Sequence, residues 1–246
     1  APVRGDSGAS IGWQIKAEGV SLLRPQRKPK PVWLQARPQK LEIDVHNSAL
    51  VVVDMQNAFV KKGAGHAWVP AAAATCGAIN RLADALRHKG GTVVWILNTF
   101  TEESLQSWSH FHENLSSPAG LKLRSETMSA GHDGHALYAD LQPQAGDWHV
   151  PKTRYSAFIQ GSSDLHERLQ KEGIDTVLIA GTATNVCCES TARDAMMLNY
   201  KTVMVSDACS AFTPQEHAAS LDSFLLNFGD VQTTEEVMTL LRASQH

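Results

Sequence analysis

The chain has 246 residues, 43% of them hydrophobic and 19% charged, and its formal net charge is −3 at pH 7. This length and composition are typical of one large α/β domain, and the small net charge gives no general attraction for nucleic acids or membranes. The chain has neither an apolar run near the ~20 residues of a membrane span nor a signal-peptide pattern, so we expect a cytoplasmic protein.

Residues 1–45 differ in composition from the rest of the chain. Prolines stand at positions 2, 25, 29, 31 and 38, and residues 1–40 contain eight Lys or Arg against two Asp or Glu. Proline-rich stretches hold extended conformations. We therefore predict an extended, basic arm that wraps its own or a neighbouring subunit, followed by a single domain over residues 46–246. A basic interaction arm is the alternative.

The remaining chain alternates apolar runs of strand length with amphipathic stretches of helix length. Strands are predicted over residues 49–53, 92–97, 147–150, 175–180, 202–206 and 230–232. Helices are predicted over residues 70–88, 163–172, 185–199, 214–227 and 234–242. The polar and aromatic region between residues 98 and 146 has no predicted element. Successive strand–helix–strand units pair in parallel, which predicts a three-layer α/β/α, doubly wound, mainly parallel six-stranded sheet.

Polar side chains follow three of these strands. Asp54 comes directly after the apolar run 49–53, Lys152 follows the strand at 147–150, and Cys187 lies in the first turn of a predicted helix. Open parallel sheets bind ligands beyond the carboxyl ends of their strands, so these side chains are expected to converge. A helix N-terminus favours a thiolate over a thiol and also suits a developing oxyanion, so we interpret Cys187 as a nucleophile.

Three blocks carry a resemblance to a known family: VVVDMQNAF at 51–59, VPKTRYSAF at 150–158 and GTATNVCCESTARDAMMLNY at 181–200. In them the chain resembles the cysteine hydrolases of the isochorismatase-like superfamily, over roughly residues 46 to 232. The resemblance implies a catalytic triad of Asp54, Lys152 and Cys187. It also implies a cis peptide at Thr182–Ala183, and an oxyanion hole formed by Thr182, Ala183 and Cys187. Cys188 departs from the valine of many relatives.

The same resemblance implies an activity. The block at 152–158 looks most like the ureidoacrylate and carbamoyl amidohydrolase branch, which cleaves a linear C–N bond of a small amide, carbamoyl or ureido compound. The implied reaction passes through a thioester, releases ammonia or an amine, and needs no cofactor. The partner is a small-molecule substrate, and the resemblance and the N-terminal arm both favour a homo-oligomer, a dimer or a tetramer.

Candidate substrate contacts follow from the same blocks and from nearby aromatic residues. Arg154, or a residue of the 98–135 region, is a candidate for binding a substrate carboxylate, although Arg154 suits a surface position equally well. The aromatic candidates suit the core equally well. The predicted substrate-binding residues are Gln56, Phe59, Trp68, Phe100, His112, Arg154 and Tyr155.

The histidine-rich region raises the question of a metal. Nicotinamidases of this superfamily bind one through an Asp-x-His element and a further His soon after the first catalytic Asp, but residues 56–68 offer His66 alone. We predict no metal site, and we expect His110 and His112 to line or cover the pocket instead. The four cysteines form neither a disulfide framework nor a zinc-ligand spacing.

Three other functions are considered. A nicotinamidase-type, metal-assisted amidase is the first, and a catalytically silent fold that serves as a binding or assembly module is the second. Members that hydrolyse isochorismate are the third, but they replace the nucleophile, so the presence of Cys187 argues against that reaction.

Overall fold

The computed structural model describes residues 14–16, 19–21 and 45–243. Strands β1 (Gln14–Lys16) and β2 (Gly19–Ser21) pair antiparallel. They belong to a different compact unit from the six-stranded sheet that is described next. Most of the predicted N-terminal arm lies outside the described residues, so its extended form and its contact with a neighbouring subunit stay predictions.

One six-stranded sheet forms the centre of the larger unit. Its strand order is β5-β4-β3-β6-β7-β8, and every neighbouring pair is parallel. This confirms the predicted fold class, and each strand contains or overlaps its predicted run. The strands are β3 (Ser48–Val53), β4 (Thr92–Asn98), β5 (Trp148–Lys152), β6 (Thr176–Thr182), β7 (Lys201–Ser210) and β8 (Asp230–Gln232).

Helices cover both faces of this sheet. They are α1 (Asn57–Val60), α2 (Ala72–His88), α3 (Glu102–Ser107), α4 (Pro118–Thr127), α5 (Leu165–Lys171), α6 (Glu189–Met197), α7 (Pro214–Asn227) and α8 (Thr234–Ala243). Two π-helical turns, His110–Asn114 and Thr184–Cys188, and two 3₁₀ turns, Val45–Asn47 and Asp133–His135, complete the described elements. None of the helices in the described ranges is long and apolar enough to cross a bilayer.

The core has two halves because side chains alternate across each strand. Strand β3 is buried along its whole length, and its successive residues Val51 and Val52 enter opposite halves. One half packs the sheet against α2 and α8, and the other packs it against α5, α6 and α7. Central parallel strands covered on both faces read as continuous apolar runs, which explains why β3 is visible in the sequence.

The region between residues 98 and 146 is more regular than the sequence pattern indicates. Helix α3 begins with a capping box in which Thr101 and Ser104 each accept a hydrogen bond from the other's backbone N–H. Helix α4 begins at Pro118, after Ser117 accepts a hydrogen bond from the Gly120 N–H. Both helices are short and mostly exposed, so they lack the apolar periodicity that reveals a buried helix. Only their capping residues indicate them in the sequence.

Candidate active site

Three strand ends meet at the carboxyl edge of the sheet. Asp54 follows β3, Lys152 is the last residue of β5, and Cys187 lies in the π-helical turn after β6. Strand β3 lies between β4 and β6, and β5 is the edge strand beyond β4, so the Lys152 side chain reaches past the end of β4. The register places these strand ends at one level, because Val53 pairs with both Ile96 and Gly181.

The backbone takes unusual conformations where β3 and β6 lie side by side. Asp54 has a φ of 53°, in the left-handed region, where an aspartate is tolerated better than most side chains. Gly181 has a φ of 114°, and a Cβ there would collide with the backbone of Val53. A glycine is therefore required at 181 for β6 to approach the strand that carries Asp54.

Lys152 and Asp54 form a buried ion pair. The Lys152 Nζ donates hydrogen bonds to Asp54 Oδ2 at 2.8 Å and to the Arg154 carbonyl oxygen at 2.9 Å. Burial opposes the charged ammonium, but Asp54 and Cys187 outweigh it and raise the pKa of Lys152. The second carboxylate oxygen, Asp54 Oδ1, is buried and has no hydrogen-bond partner among the described residues. One oxygen of Asp54 is thus held, and the other is open to accept a proton.

The Cys187 thiol lies beside this pair and is only 6% exposed. Burial raises the pKa of Cys187 well above its usual value; Lys152 lowers it, and Asp54 raises it further. The expectation that the helix end favours a resting thiolate is therefore wrong, because desolvation of the sulfur outweighs the helix terminus. The resting thiol is protonated, and its proton has an acceptor nearby in the Asp54 carboxylate.

The turn that carries the thiol is held from two sides. The Thr182–Ala183 peptide bond is cis, at the position that the resemblance implies, and the Ala183 carbonyl accepts hydrogen bonds from the N–H groups of Val186 and Cys188. The Thr182 hydroxyl donates to the Ser210 carbonyl at 3.2 Å.

Helix α7 supports the same turn. The Thr184 hydroxyl lies 2.8 Å from His217 Nδ1. Ser220 Oγ contacts the Thr184 carbonyl at 3.3 Å and donates to the Glu189 carboxylate at 2.6 Å. These contacts fix the direction in which the turn presents Cys187.

The seven predicted substrate-binding residues lie in different environments, and the polar side chains of two of them are hydrogen-bonded to other protein groups. Gln56 is fully buried, and its amide bonds the backbone of Asn98 and the His135 carbonyl, so it joins two loops. The Arg154 guanidinium bonds Thr153 and the Ser107 hydroxyl. Gln56 and Arg154 thus have partners within the protein, and their contact with substrate stays a prediction.

The five other candidates are aromatic rings or an imidazole. Phe59 and Phe100 pack with Met128 in a small apolar cluster, and Trp68 is 37% exposed with the Lys62 ammonium 5.3 Å from its ring centre. His112 and Tyr155 belong to a second aromatic group, which shares Phe100 with the first. We call this group the aromatic cluster; it consists of Phe100, Trp108, Phe111, His112 and Tyr155.

Arg124 and His66 join this region, although the sequence included Arg124 only within the 98–135 region and did not assign His66 to the pocket. The Arg124 guanidinium lies 4.4 Å from the centre of the Phe111 ring and donates to Ser116 Oγ at 2.9 Å. His66 packs edge-on against Phe59, and burial, with Arg124 adding to it, lowers its pKa to about 4. No sequence signal distinguished Arg124, because α4 has no clear apolar face.

The other histidines of the region serve the loops. His135 Nε2 lies 2.8 Å from the Thr99 hydroxyl, His132 Nδ1 accepts from the Gly134 N–H, and His110 is exposed on its π-helical turn. Within the described ranges, no three His, Cys, Asp or Glu side chains converge as metal ligands would. His135 and His149 line a groove of about 710 Å³ beside the edge strand β5, and no member of the Asp54, Lys152 and Cys187 trio lines it.

Known proteins resemble this chain over most of its length. The isochorismatase domain model matches residues 48–236. A ureidoacrylate amidohydrolase of Rhizobium rhizogenes is 35% identical over 202 residues, which cover 77% of this chain and 81% of that protein. One from Variovorax paradoxus is 38% identical over 192 residues, covering 73% of this chain and 75% of that protein.

The fold itself matches known structures. A crystal structure of a cysteine hydrolase from Pseudomonas syringae pv. phaseolicola superposes with a TM-score of 0.70 at 26% identity, and the match covers 83% of this chain and 96% of the other. The matching model and the relatives above agree with the three sequence blocks. The chain therefore belongs to the isochorismatase family of hydrolases.

Proposed function

We propose that this protein is a cysteine-dependent amidohydrolase that cleaves a linear C–N bond of a small carbamoyl or ureido compound through a thioester-type intermediate on Cys187, which for these substrates is an S-carbamoyl group. One observation carries the proposal. A buried carboxylate has one oxygen held by Lys152 at 2.8 Å and the other unpartnered, and a buried thiol lies beside it. A weak nucleophile next to a positioned base is the arrangement that acyl transfer requires.

The first half of the reaction forms the thioester. Asp54 Oδ1 accepts the Cys187 proton as the sulfur attacks the substrate carbonyl carbon, which avoids a free thiolate in a desolvated site. The oxygen becomes an oxyanion, and we assign the N–H groups of Ala183 and Cys187 as its donors, each typically worth ~3 kcal/mol. The C–N bond then breaks, and the protonated Asp54 delivers its proton to the leaving nitrogen, so ammonia or an amine departs.

The second half restores the enzyme. Asp54, again a carboxylate, removes a proton from water as the water oxygen attacks the thioester carbon. The C–S bond breaks, and the sulfur regains its proton from Asp54. Lys152 keeps its charge throughout, because its hydrogen bond to Asp54 Oδ2 orients the carboxylate and its positive charge stabilises negative charge on sulfur.

The substrate class rests on the relatives. The Rhizobium and Variovorax relatives are named ureidoacrylate amidohydrolases, and they are more than one-third identical to this chain over most of its length. The low exposure of Cys187, 6%, also suits a small molecule better than a large one. A metal-assisted amidase receives no support from the ligand types that the described residues bring together.

An ammonia-release assay over small ureas, carbamoyl compounds and amides tests the proposal. Cys187→Ala is expected to lower kcat by at least about 10⁴-fold, and Asp54→Asn by a comparable factor. Cys76→Ala is the matched control, because it removes a buried cysteine from α2 on the other side of the core, and it is expected to retain turnover.

The covalent step has its own measurement. Acid quenching of the enzyme during turnover is expected to leave an acyl group on the peptide that contains Cys187, and hydroxylamine is expected to remove it. Turnover that survives Cys187→Ala would defeat the mechanism. Absence of any activity over the whole panel, with the fold intact, would favour the catalytically silent fold.

A further inference from the structure

Arg124 is a positive charge without a negative partner among the described residues. Its guanidinium is partly buried on α4, where it stacks over the Phe111 ring and bonds only a hydroxyl, Ser116 Oγ. Burial lowers its pKa, and Tyr155 is the group that acts against that shift. A partly desolvated guanidinium normally pairs with a carboxylate or phosphate, so the missing partner calls for an explanation.

His112 provides a second, independent observation at the same place. Its side chain is 4% exposed, and both of its ring nitrogens are buried with no hydrogen-bond partner among the described residues. Burial lowers the pKa of His112, and Arg124 and Arg154 lower it further, so the ring is neutral at pH 7 and carries one N–H donor. A buried, unpaired donor beside an unpaired cation fits an anion that supplies both partners.

The aromatic cluster joins these two groups to the reaction centre. The Phe111 ring lies under Arg124 at 4.4 Å, next to His112 at 5.1 Å and next to Tyr155 at 5.4 Å. Tyr155 lies near enough to Cys187, Lys152 and Arg124 that the charges of all three act on its pKa. Tyr155 also follows Arg154, whose carbonyl oxygen accepts a hydrogen bond from Lys152, so its backbone lies next to the buried ion pair while its ring packs against Phe111.

We propose that Arg124 and His112 form an anchor for a carboxylate on the substrate, so that ureido or carbamoyl acids are preferred over their neutral counterparts. This inference rests on the proposed function and narrows its substrate class. The guanidinium supplies a paired, charge-assisted donor, and the imidazole N–H supplies a third hydrogen bond. Aromatic rings pack against both groups, with Phe111 against the guanidinium and Trp108 and Phe111 against the imidazole.

The test compares one ureido acid with its neutral counterpart. The probes are 3-ureidopropionate and propylurea, which differ in having or lacking the carboxylate. Wild type is expected to prefer the acid by about 100-fold in kcat/KM, the scale of a paired, desolvated charge. Arg124→Gln is expected to lose about 100-fold on the acid, mainly through KM, and less than about threefold on propylurea. Arg124→Lys, which keeps the charge and loses the fork, is expected to lose about tenfold on the acid.

A matched arginine controls for stacking alone. Arg168, on α5, has its guanidinium 4.7 Å from the centre of the Trp148 ring. Arg168→Gln is expected to leave kcat/KM unchanged for both probes. Equal losses on both probes in Arg124→Gln would indicate a purely structural role and overturn the anchor. Unchanged kinetics on the acid would overturn it as well.

Binding separates this inference from the proposed mechanism. In Cys187→Ala, which cannot turn over, calorimetry is expected to find the acid bound about 100-fold more tightly than propylurea, with the preference lost on adding Arg124→Gln. Equal affinities for the two probes would sink the anchor even if the thioester mechanism holds. A retained preference in an enzyme that shows no turnover would sink the mechanism alone.

Discussion

Lys152 Nζ donates a 2.8 Å hydrogen bond to Asp54 Oδ2 from the far side of β4, and both side chains are fully buried. Removing either partner leaves an uncompensated charge in the core. Lys152→Met and Asp54→Asn are each expected to lower the free energy of unfolding by about 3–5 kcal/mol. The double variant is expected to lose at least about 2 kcal/mol less than the sum, as measured by urea denaturation.

A surface ion pair provides the control for this double-mutant cycle of Lys152 and Asp54. Lys122 and Glu126 lie 3.9 Å apart on α4 with exposed side chains. Their coupling is expected to stay below about 0.5 kcal/mol. A coupling between Lys152 and Asp54 no larger than this would contradict the view that the ion pair is a single buried unit.

The protonated state of Cys187 gives an unusual prediction for alkylation. Since burial raises the pKa of the thiol and Asp54 raises it further, iodoacetamide is expected to label wild-type Cys187 slowly at pH 7.5 and faster as the pH rises beyond 9. In Asp54→Asn the carboxylate no longer raises the pKa of Cys187, while Lys152 still lowers it. Labelling at pH 7.5 is therefore expected to become faster, although turnover is lost.

Peptide mapping by mass spectrometry follows this reaction site by site. Cys76 is an internal control, because burial, followed by Asp140, raises its pKa to about 11 and it is expected to stay unlabelled in both proteins. Faster labelling of Cys187 in wild type than in Asp54→Asn would reverse the order of the two influences and contradict the assignment of Asp54 as proton acceptor.

Asp147 is expected to make the free energy of unfolding depend on pH in the acidic range. It accepts hydrogen bonds from Arg87, from Trp95 at 2.7 Å and from the Gln144 N–H at 2.8 Å. Burial opposes ionisation, but these donors outweigh it and hold the pKa of Asp147 below its usual 3.8. A lowered native pKa stabilises the fold above pH 3.8, and this contribution is lost as the pH falls through the native pKa.

Asp147→Asn measures that contribution. The variant is expected to lose about 2 kcal/mol of unfolding free energy at pH 7, with a smaller difference from wild type below pH 3.8, in urea titrations followed by tryptophan fluorescence. Asp84→Asn, at an exposed carboxylate on α2, is expected to change stability by less than about 0.5 kcal/mol. A difference that does not change with pH would refute the assignment.

Gly181 is expected to tolerate no side chain. Gly181→Ala would place its Cβ against the Val53 backbone at a positive φ, so we expect a loss of about 3 kcal/mol or more, or no soluble protein. Gly161→Ala shares a positive φ of 77° but meets no atom within 4 Å, and we expect it to cost about 1 kcal/mol. Similar melting temperatures for the two variants would contradict the steric explanation.

The sequence predicted the sheet and the meeting of three side chains for the same reason. Strands β3 and β6 are covered on both faces, so each reads as an apolar run, and Asp54 and Cys187 follow directly. Once the strands are parallel, their carboxyl ends share one edge, which brings Lys152 to the same place. Their catalytic roles stay predictions until the variants are measured.

Other features depend on packing that a linear pattern does not contain. The helix end near Cys187 is visible in the sequence, but the desolvation that raises the pKa of its thiol depends on everything folded around it. Gln56 suits a polar contact with substrate until the loops carrying Asn98 and His135 occupy its amide. Arg124 becomes notable only when Phe111 lies beneath it and no carboxylate from the described part of the chain pairs with it.

The long connection from β4 to β5 contains Trp108, Phe111, His112 and Arg124, and it contains none of Asp54, Lys152 and Cys187. The proposed catalytic residues and the proposed carboxylate anchor therefore lie in separate stretches of the chain. Natural variation can remodel this insertion and leave the strands untouched, which gives the scaffold a way to diversify without reinventing its chemistry. Exchanging that single segment between relatives is therefore the most direct way to engineer a changed substrate specificity.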